Sequence, residues 1–225
     1  MNQNDVQMET QEPVVYPDVG SAYGHSWRQM WKYILELLLI MIVAFLLSIP
    51  SSGLSVSSEL EGAGAFFLVI FSLAYMVLVQ WPVEYGVAFA ALKAVRGERL
   101  EVKDMFTSFQ NYANVILANI LTGIIIIIGI ILLIIPGIIF ACKLAFVPYL
   151  VVDRKMEAIE AVKESWRMTS GHALSVFLIG LLAILIVLAG LICLIVGIIP
   201  AIIWIELAFA SLYHAVSTQK IKQQA

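Results

Sequence analysis

The chain has 225 residues, of which 61% are hydrophobic and 13% charged, with a mean hydropathy of +0.95 and a formal charge of −3. A soluble domain carries about 25% charged and about 45–50% apolar residues, so composition excludes one. The apolar residues fall in unbroken runs rather than alternating ones, which excludes a β-barrel and predicts an all-α polytopic membrane protein.

Residues 1–22 are acidic and polar, lack the basic opening of a signal peptide, and are expected to form a disordered tail. Tyr23, Trp27, Met30 and Trp31 then recur at helical spacing, as in a helix that lies in the headgroup layer. The first span covers about Ile34 to Ile49 and stops at Pro50, and a serine-rich loop runs from Ser51 to Gly62. The second, from near Ala63 to about Ala94, is longer than a bilayer requires and contains Pro82, so a kinked or tilted helix is expected. From Leu100 to Tyr112, residues Leu100, Met105, Phe106, Phe109 and Tyr112 oppose Glu101, Lys103, Asp104 and Gln110, which fits a second interfacial helix.

The third span, from Val115 to Ile135, is expected to end at Pro136-Gly137, where a tight turn feeds a fourth span reaching about Val152. A further elbow places Met156, Ile159, Val162 and Trp166 on one face and Glu157, Glu160, Lys163, Glu164 and Arg167 on the other. The fifth span covers about Ala173 to Val196, Gly197 to Pro200 makes the turn, and the sixth reaches about Ser217. Residues 218–225 form a short basic tail, and 23–217 are the membrane domain. Cys142 and Cys193 both fall in spans and read as small buried hydrophobes.

Twelve of the thirteen basic residues lie on one side of the predicted spans, which places both termini in the cytoplasm. The segments SWRQMWKYIL from Ser26, SFQNYANVIL from Ser108 and SWRMTSGHAL from Ser165 align without gaps, each leading into an odd-numbered span. With Pro82, Pro136 and Pro200 as breaks in the even-numbered spans, this predicts three elbow-plus-hairpin repeats, about 23–97, 98–153 and 154–217. Trp27, Arg28, Phe109, Trp166, Arg167 and His172 mark the interfacial elbows.

Lys143 is the one basic residue away from the cytoplasmic side, about 15 Å along a helix from Asp153. Glu84 and Glu206 occupy similar positions on the other even-numbered spans, so the three are a candidate intramembrane cluster, either a structural clasp or a site for a polar ligand or proton. No HExxH, GxSxG or P-loop is present, no His/Cys cluster has metal-ligand spacing, and the mixed charge of the elbows gives no nucleic-acid footprint. No enzymatic activity and no cofactor are therefore expected.

The stretches ALKAVRGERLEVKDMF, IIPGIIFACKLAFVPYLVVD and EAIEAVKESWRMTSGH resemble a group of bacterial six-helix membrane proteins. That group is related to the membrane domain of glycerophosphoryl diester phosphodiesterases. The resemblance covers about Pro82 to His214, with Pro136-Gly137, Asp153, Ala161, Ser165-Trp166 and Gly171-His172 its more specific features. It implies an inner-membrane, multi-pass architecture without the separate catalytic barrel of the phosphodiesterases. The function read first from these features is a non-enzymatic scaffold or accessory subunit that binds lipid, another membrane protein or its own copies; the alternative is a small transporter or channel using Glu84, Lys143 and Glu206. The first draws on the elbows and on Gly123, Gly129, Gly180 and Gly190 as helix-packing positions; the second draws on the charges.

Overall fold

The computed structural model describes residues 16–52, 63–192 and 195–224. Residues 1–15 of the predicted tail, most of the Ser51–Gly62 loop and Cys193 lie outside them. Five helical segments among the described residues are long and apolar enough to cross a membrane, and a bent pair at the N-terminus makes a sixth when counted as one span. The chain therefore has the form of a multi-pass membrane protein.

Helix α1 (Val19–Lys32) starts within the stretch assigned to the tail, because the Asp18 carboxylate accepts the Ser21 N–H at 3.1 Å and caps it. It meets α2 (Ile34–Ser48) at 90° about Tyr33, whose hydroxyl donates to Gly97 O at 2.9 Å. Of the four residues predicted as an interfacial lead-in, Tyr23 and Met30 turn inward together with Ala22, His25 and Ser26, while Trp27 and Trp31 stay exposed.

The second span is α3 (Ala63–Tyr75), a π-helical turn (Met76–Gln80) and α4 (Trp81–Val95). Pro82 explains the widened turn, since its ring clashes with the carbonyl four residues back and cannot donate to it. That carbonyl belongs to Leu78, and it accepts the Tyr112 hydroxyl at 3.0 Å instead. The following elbow, Val102–Asn111, is a 3₁₀ helix rather than an α-helix. Glu101 N donates to Asp104 Oδ2 at 2.8 Å, and the same oxygen takes Lys93 Nζ at 2.8 Å, fixing the elbow to α4.

Helix α5 (Tyr112–Leu132) reverses into α6 (Ile134–Leu144) through a single extended residue, Leu133. Pro136 and Gly137, predicted as the break, instead sit inside the first turns of α6. Proline there gives up an N–H that has no helical partner, and Gly137 lets α6 lie against α5, since a Cβ on it would come 2.9 Å from Ile130 N. Gly129 faces it across the same crossing. Gly190 is similarly tight, 2.9 Å from Gly197 O, but Gly123 and Gly180 have nothing within 4 Å and do not serve packing.

The fourth span carries a break that the sequence reading placed elsewhere. After α6 it turns at Ala145–Phe146 and resumes as α7 (Val147–Asp153), with Pro148 in the first turn. Ser165 Oγ donates to Lys143 O at 2.8 Å and accepts Phe146 N at 3.2 Å, and Thr169 Oγ1 lies 3.1 Å from the same carbonyl. Both come from α8 (Ala158–Thr169), whose inward face is Ala158, Ala161, Ser165, Met168 and Thr169. The apolar face predicted from Met156, Ile159, Val162 and Trp166 is divided: Met156 and Val162 pack partly buried against the core, while Ile159 and Trp166 point outward, 56% and 40% exposed. Replacing Ser165 by Ala and Thr169 by Val together is expected to cost about 2 kcal/mol, the penalty of stranding buried backbone groups. An unchanged thermal unfolding midpoint would mean that these hydroxyls do not satisfy the break.

Helices α9 (Ala173–Ile192) and α10 (Ile195–Gln224) complete the chain. Pro200, also predicted as a break, lies within α10 as its sixth residue, so only one bond near the helix start is lost. The same helix runs on through the predicted basic tail. The core lies where α1, α4, α7 and α10 meet, around Met30, Leu92, Leu150, Leu207 and Tyr213. At its edge Arg96 grips Asp153 with two bonds of 2.6 and 2.7 Å, and the Tyr213 hydroxyl donates to Asp153 at 3.1 Å. One carboxylate thus joins the ends of the second, fourth and sixth spans.

Candidate functional site

Two of the three predicted intramembrane charges share a cavity, and the third does not. A cavity of about 410 Å³ lies between α4, α5, α6, α7 and α10, with Glu84 and Glu206 both on its wall. Glu84 is carried by α4 two residues after Pro82, and Glu206 by α10. Lys143 points elsewhere: its ammonium donates to Ser170 Oγ at 3.1 Å and stands 5.9 Å from the centre of the Trp166 ring. The predicted Glu–Lys–Glu cluster therefore does not form. A long lysine side chain gains more from the hydroxyl and aromatic face at the α8 surface than from a cavity on the far side of its own helix.

Among the described residues no cation pairs with either glutamate. Glu84 receives one long bond, 3.5 Å from Gln80 Nε2, and remains exposed to the cavity. Asn119 and Thr122 from α5 and Tyr85 and Tyr149 from α4 and α7 complete the polar lining. The Thr122 hydroxyl oxygen and Gln80 Oε1 are buried without a hydrogen-bond partner among the described residues. Groups of this kind are normally satisfied, so each needs an explanation. Ala88, Ile126, Leu144 and Phe209 supply apolar wall.

Electrostatics gives the cavity its sign. The break at Ala145 brings the C-terminus of α6 and the start of α7 to the wall together, and their opposite dipole ends offset one another. The two carboxylates are left to decide, and an ionised side chain in a bilayer costs about 2.5–3.5 kcal/mol by insertion scales. Two of them facing one space attract a cation or share a proton. No group of three His, Cys, Asp or Glu suited to a metal occurs among the described residues.

Asn119 and Thr122 were not singled out from the sequence, although a signal existed. They are the only polar side chains in the run from Val115 to Ile135, and they stand three apart on one helix face. The interfacial residues are distributed more loosely. Trp27 packs on Trp204 with ring centroids 4.8 Å apart, Arg28 is exposed, and Phe109 stacks on Tyr112 at 6.0 Å. Trp166 lies 5.5 Å from the Phe140 ring, while Arg167 binds Glu164 at 2.7 Å. His172 follows Gly171, which takes a left-handed φ of 97° at the turn into α9, and its backbone carbonyl accepts the Val176 N–H. Comparison with protein-family models, curated proteins and solved structures finds no match.

Proposed function

We propose that this chain is a non-enzymatic membrane carrier or channel that binds a cationic solute, a proton included, between Glu84 and Glu206. What carries the reading is the pair of carboxylates from different spans on one cavity wall, with no cation among the described residues to neutralise them. The unpartnered Thr122 hydroxyl beside them supports it, as does the broken span at the same wall, since discontinuous helices at a polar centre are characteristic of transporters.

The architecture behind it is a three-unit build in a bacterial inner membrane, with both termini cytoplasmic. Its support is the common role of the repeat serines, all fully buried. Ser26 bonds Ala22 O and lies 3.3 Å from Ser211 Oγ on the sixth span, Ser108 bonds Pro82 O on the second at 2.5 Å, and Ser165 bonds Lys143 O on the fourth. Each elbow thus docks on the last span of the preceding unit, the first unit docking on the third, which is how three copies close around an axis.

The test is electrometry on proteoliposomes on a solid support, challenged with jumps in proton, sodium, potassium and small organic amine concentration. The wild-type chain is expected to give a cation-dependent current, and Glu84→Gln with Glu206→Gln to reduce it about tenfold or more while the protein still purifies as folded material. If no cation gives a current, and none raises the unfolding temperature of the wild type above that of the double variant, the carrier reading fails. A scaffold that binds lipid or another membrane protein through its elbows would then be the better account.

A further inference from the structure

The corner where α7 passes into α8 holds a second cavity, also about 410 Å³, lined by Arg154, Met156, Glu160, Lys163, Glu164 and Arg167. It is separate from the carboxylate cavity and opposite in character. Glu164 is buried and committed: its carboxylate takes Arg167 Nη2 at 2.7 Å and faces Lys220 Nζ at 3.6 Å. Burial works to raise its pKa, but the Arg167 hydrogen bond and the Lys220, Arg167 and Arg154 charges outweigh that and hold it below the usual carboxylate range. It therefore stays ionised and serves to hold Arg167 in place. Arg154 and Lys163 are exposed, and among the described residues neither forms an ion pair. With Glu160 as the remaining acid, the groove carries surplus positive charge.

Two features place this charge against lipid. Lys163 and Arg167 lie one helical turn apart on α8, and the adjacent outward ridge carries Ile159 and Trp166, both exposed. The loop residue next to Arg154 is Lys155, which holds a left-handed φ of 51° that glycine would adopt more easily.

We propose that the Arg154–Lys163–Arg167 groove is a binding site for a phosphodiester anion, occupied by the head group of an anionic membrane phospholipid. The guanidinium groups suit phosphate oxygens, the ammonium adds a point charge, and Trp166 and Ile159 line the path of the acyl chains. Basic pockets between membrane helices on the cytoplasmic side are the usual setting for such head groups. The site stands independently of the carrier reading.

The test is native mass spectrometry of the full chain in detergent, titrated with short-chain phosphatidylglycerol, phosphatidylcholine and the soluble diester glycerophosphoglycerol. Phosphatidylglycerol is expected to bind about tenfold more tightly than phosphatidylcholine, and Arg154→Ala with Lys163→Ala to abolish that preference. Arg99→Ala with Lys103→Ala, two exposed cations of another elbow, should leave it intact. Equal loss in both variants would reduce the effect to general electrostatics and overturn the site. No lipid preference, or a preference unchanged in the first variant, would overturn it equally. Glycerophosphoglycerol binding as tightly as the lipid would overturn the lipid assignment and leave a soluble phosphodiester ligand.

Discussion

Asp153→Ala is expected to destabilise the folded protein by about 3 kcal/mol, the loss typical of removing one partner from a largely buried pair. The Asp153 side chain is 11% exposed and that of Arg96 24%, so solvent screens the pair only weakly. Burial alone would lower the Arg96 pKa, but the hydrogen bonds and charge of Asp153 reverse this and hold it above its ordinary value. Removing the carboxylate leaves that guanidinium in the same place without its partner and strands the Tyr213 hydroxyl. Three spans lose their common joint in one substitution. Arg96→Ala should cost nearly as much, and the double variant less than the sum of the two, because the stranded charge is then gone. Unfolding followed by tryptophan fluorescence in detergent measures all three. A cost below about 1 kcal/mol in the single variants would reclassify the pair as a solvated surface contact.

Gly86→Ala should be at least as damaging, for a steric reason. A Cβ at Gly86 would stand 1.6 Å from Met105 O and 2.5 Å from its carbonyl carbon. Both atoms are backbone, so no rotamer change relieves the overlap, and the 3₁₀ elbow must lift away from α4. That movement breaks the Ser108 bond to Pro82 O and the Lys93–Asp104 pair. Overpacking costs about 1–3 kcal/mol where side chains adjust, and here the upper end or beyond is expected. Hydrogen exchange gives the sharper readout: residues 102–111 should lose protection while α9 keeps its own. Gly180→Ala is the control, since nothing lies within 4 Å of the added methyl. If Gly86→Ala matches wild type in exchange and melting, the elbow does not seat on that glycine.

Several of these features are visible in the sequence and several are not. The lead-in ahead of Ile34 reads directly from Trp27 and Trp31, since aromatic residues favour the headgroup layer whatever they pack against. Pro82 likewise announces the disturbed, π-helical turn before it, because the clash with the preceding turn is local to the chain. The direction of Lys143 is different. Its helix, spacing and charge are legible, but its partner is Ser170, 27 residues away, and only the docking of α8 brings that hydroxyl into reach. Which residues of α8 turn inward is a tertiary matter for a related reason. In water the apolar ridge of a helix turns to the protein, but in a bilayer both lipid and protein are apolar. Ile159 and Trp166 can therefore face outward, and small residues such as Ala158, Ala161 and Ser165 allow the close approach to α6 and α7.

The sequence by itself determined the helical, membrane-spanning class and the places along the chain where long apolar segments alternate with amphipathic ones. These follow from hydropathy and helical period, which depend on neighbours a few residues apart. Only the tertiary structure decided which charges meet: Glu84 with Glu206 on one cavity wall, Lys143 apart from them, Asp153 between Arg96 and Tyr213. A charged side chain within apolar spans settles where hydrogen-bond partners or open space offset its desolvation, and those partners come from helices distant in the chain.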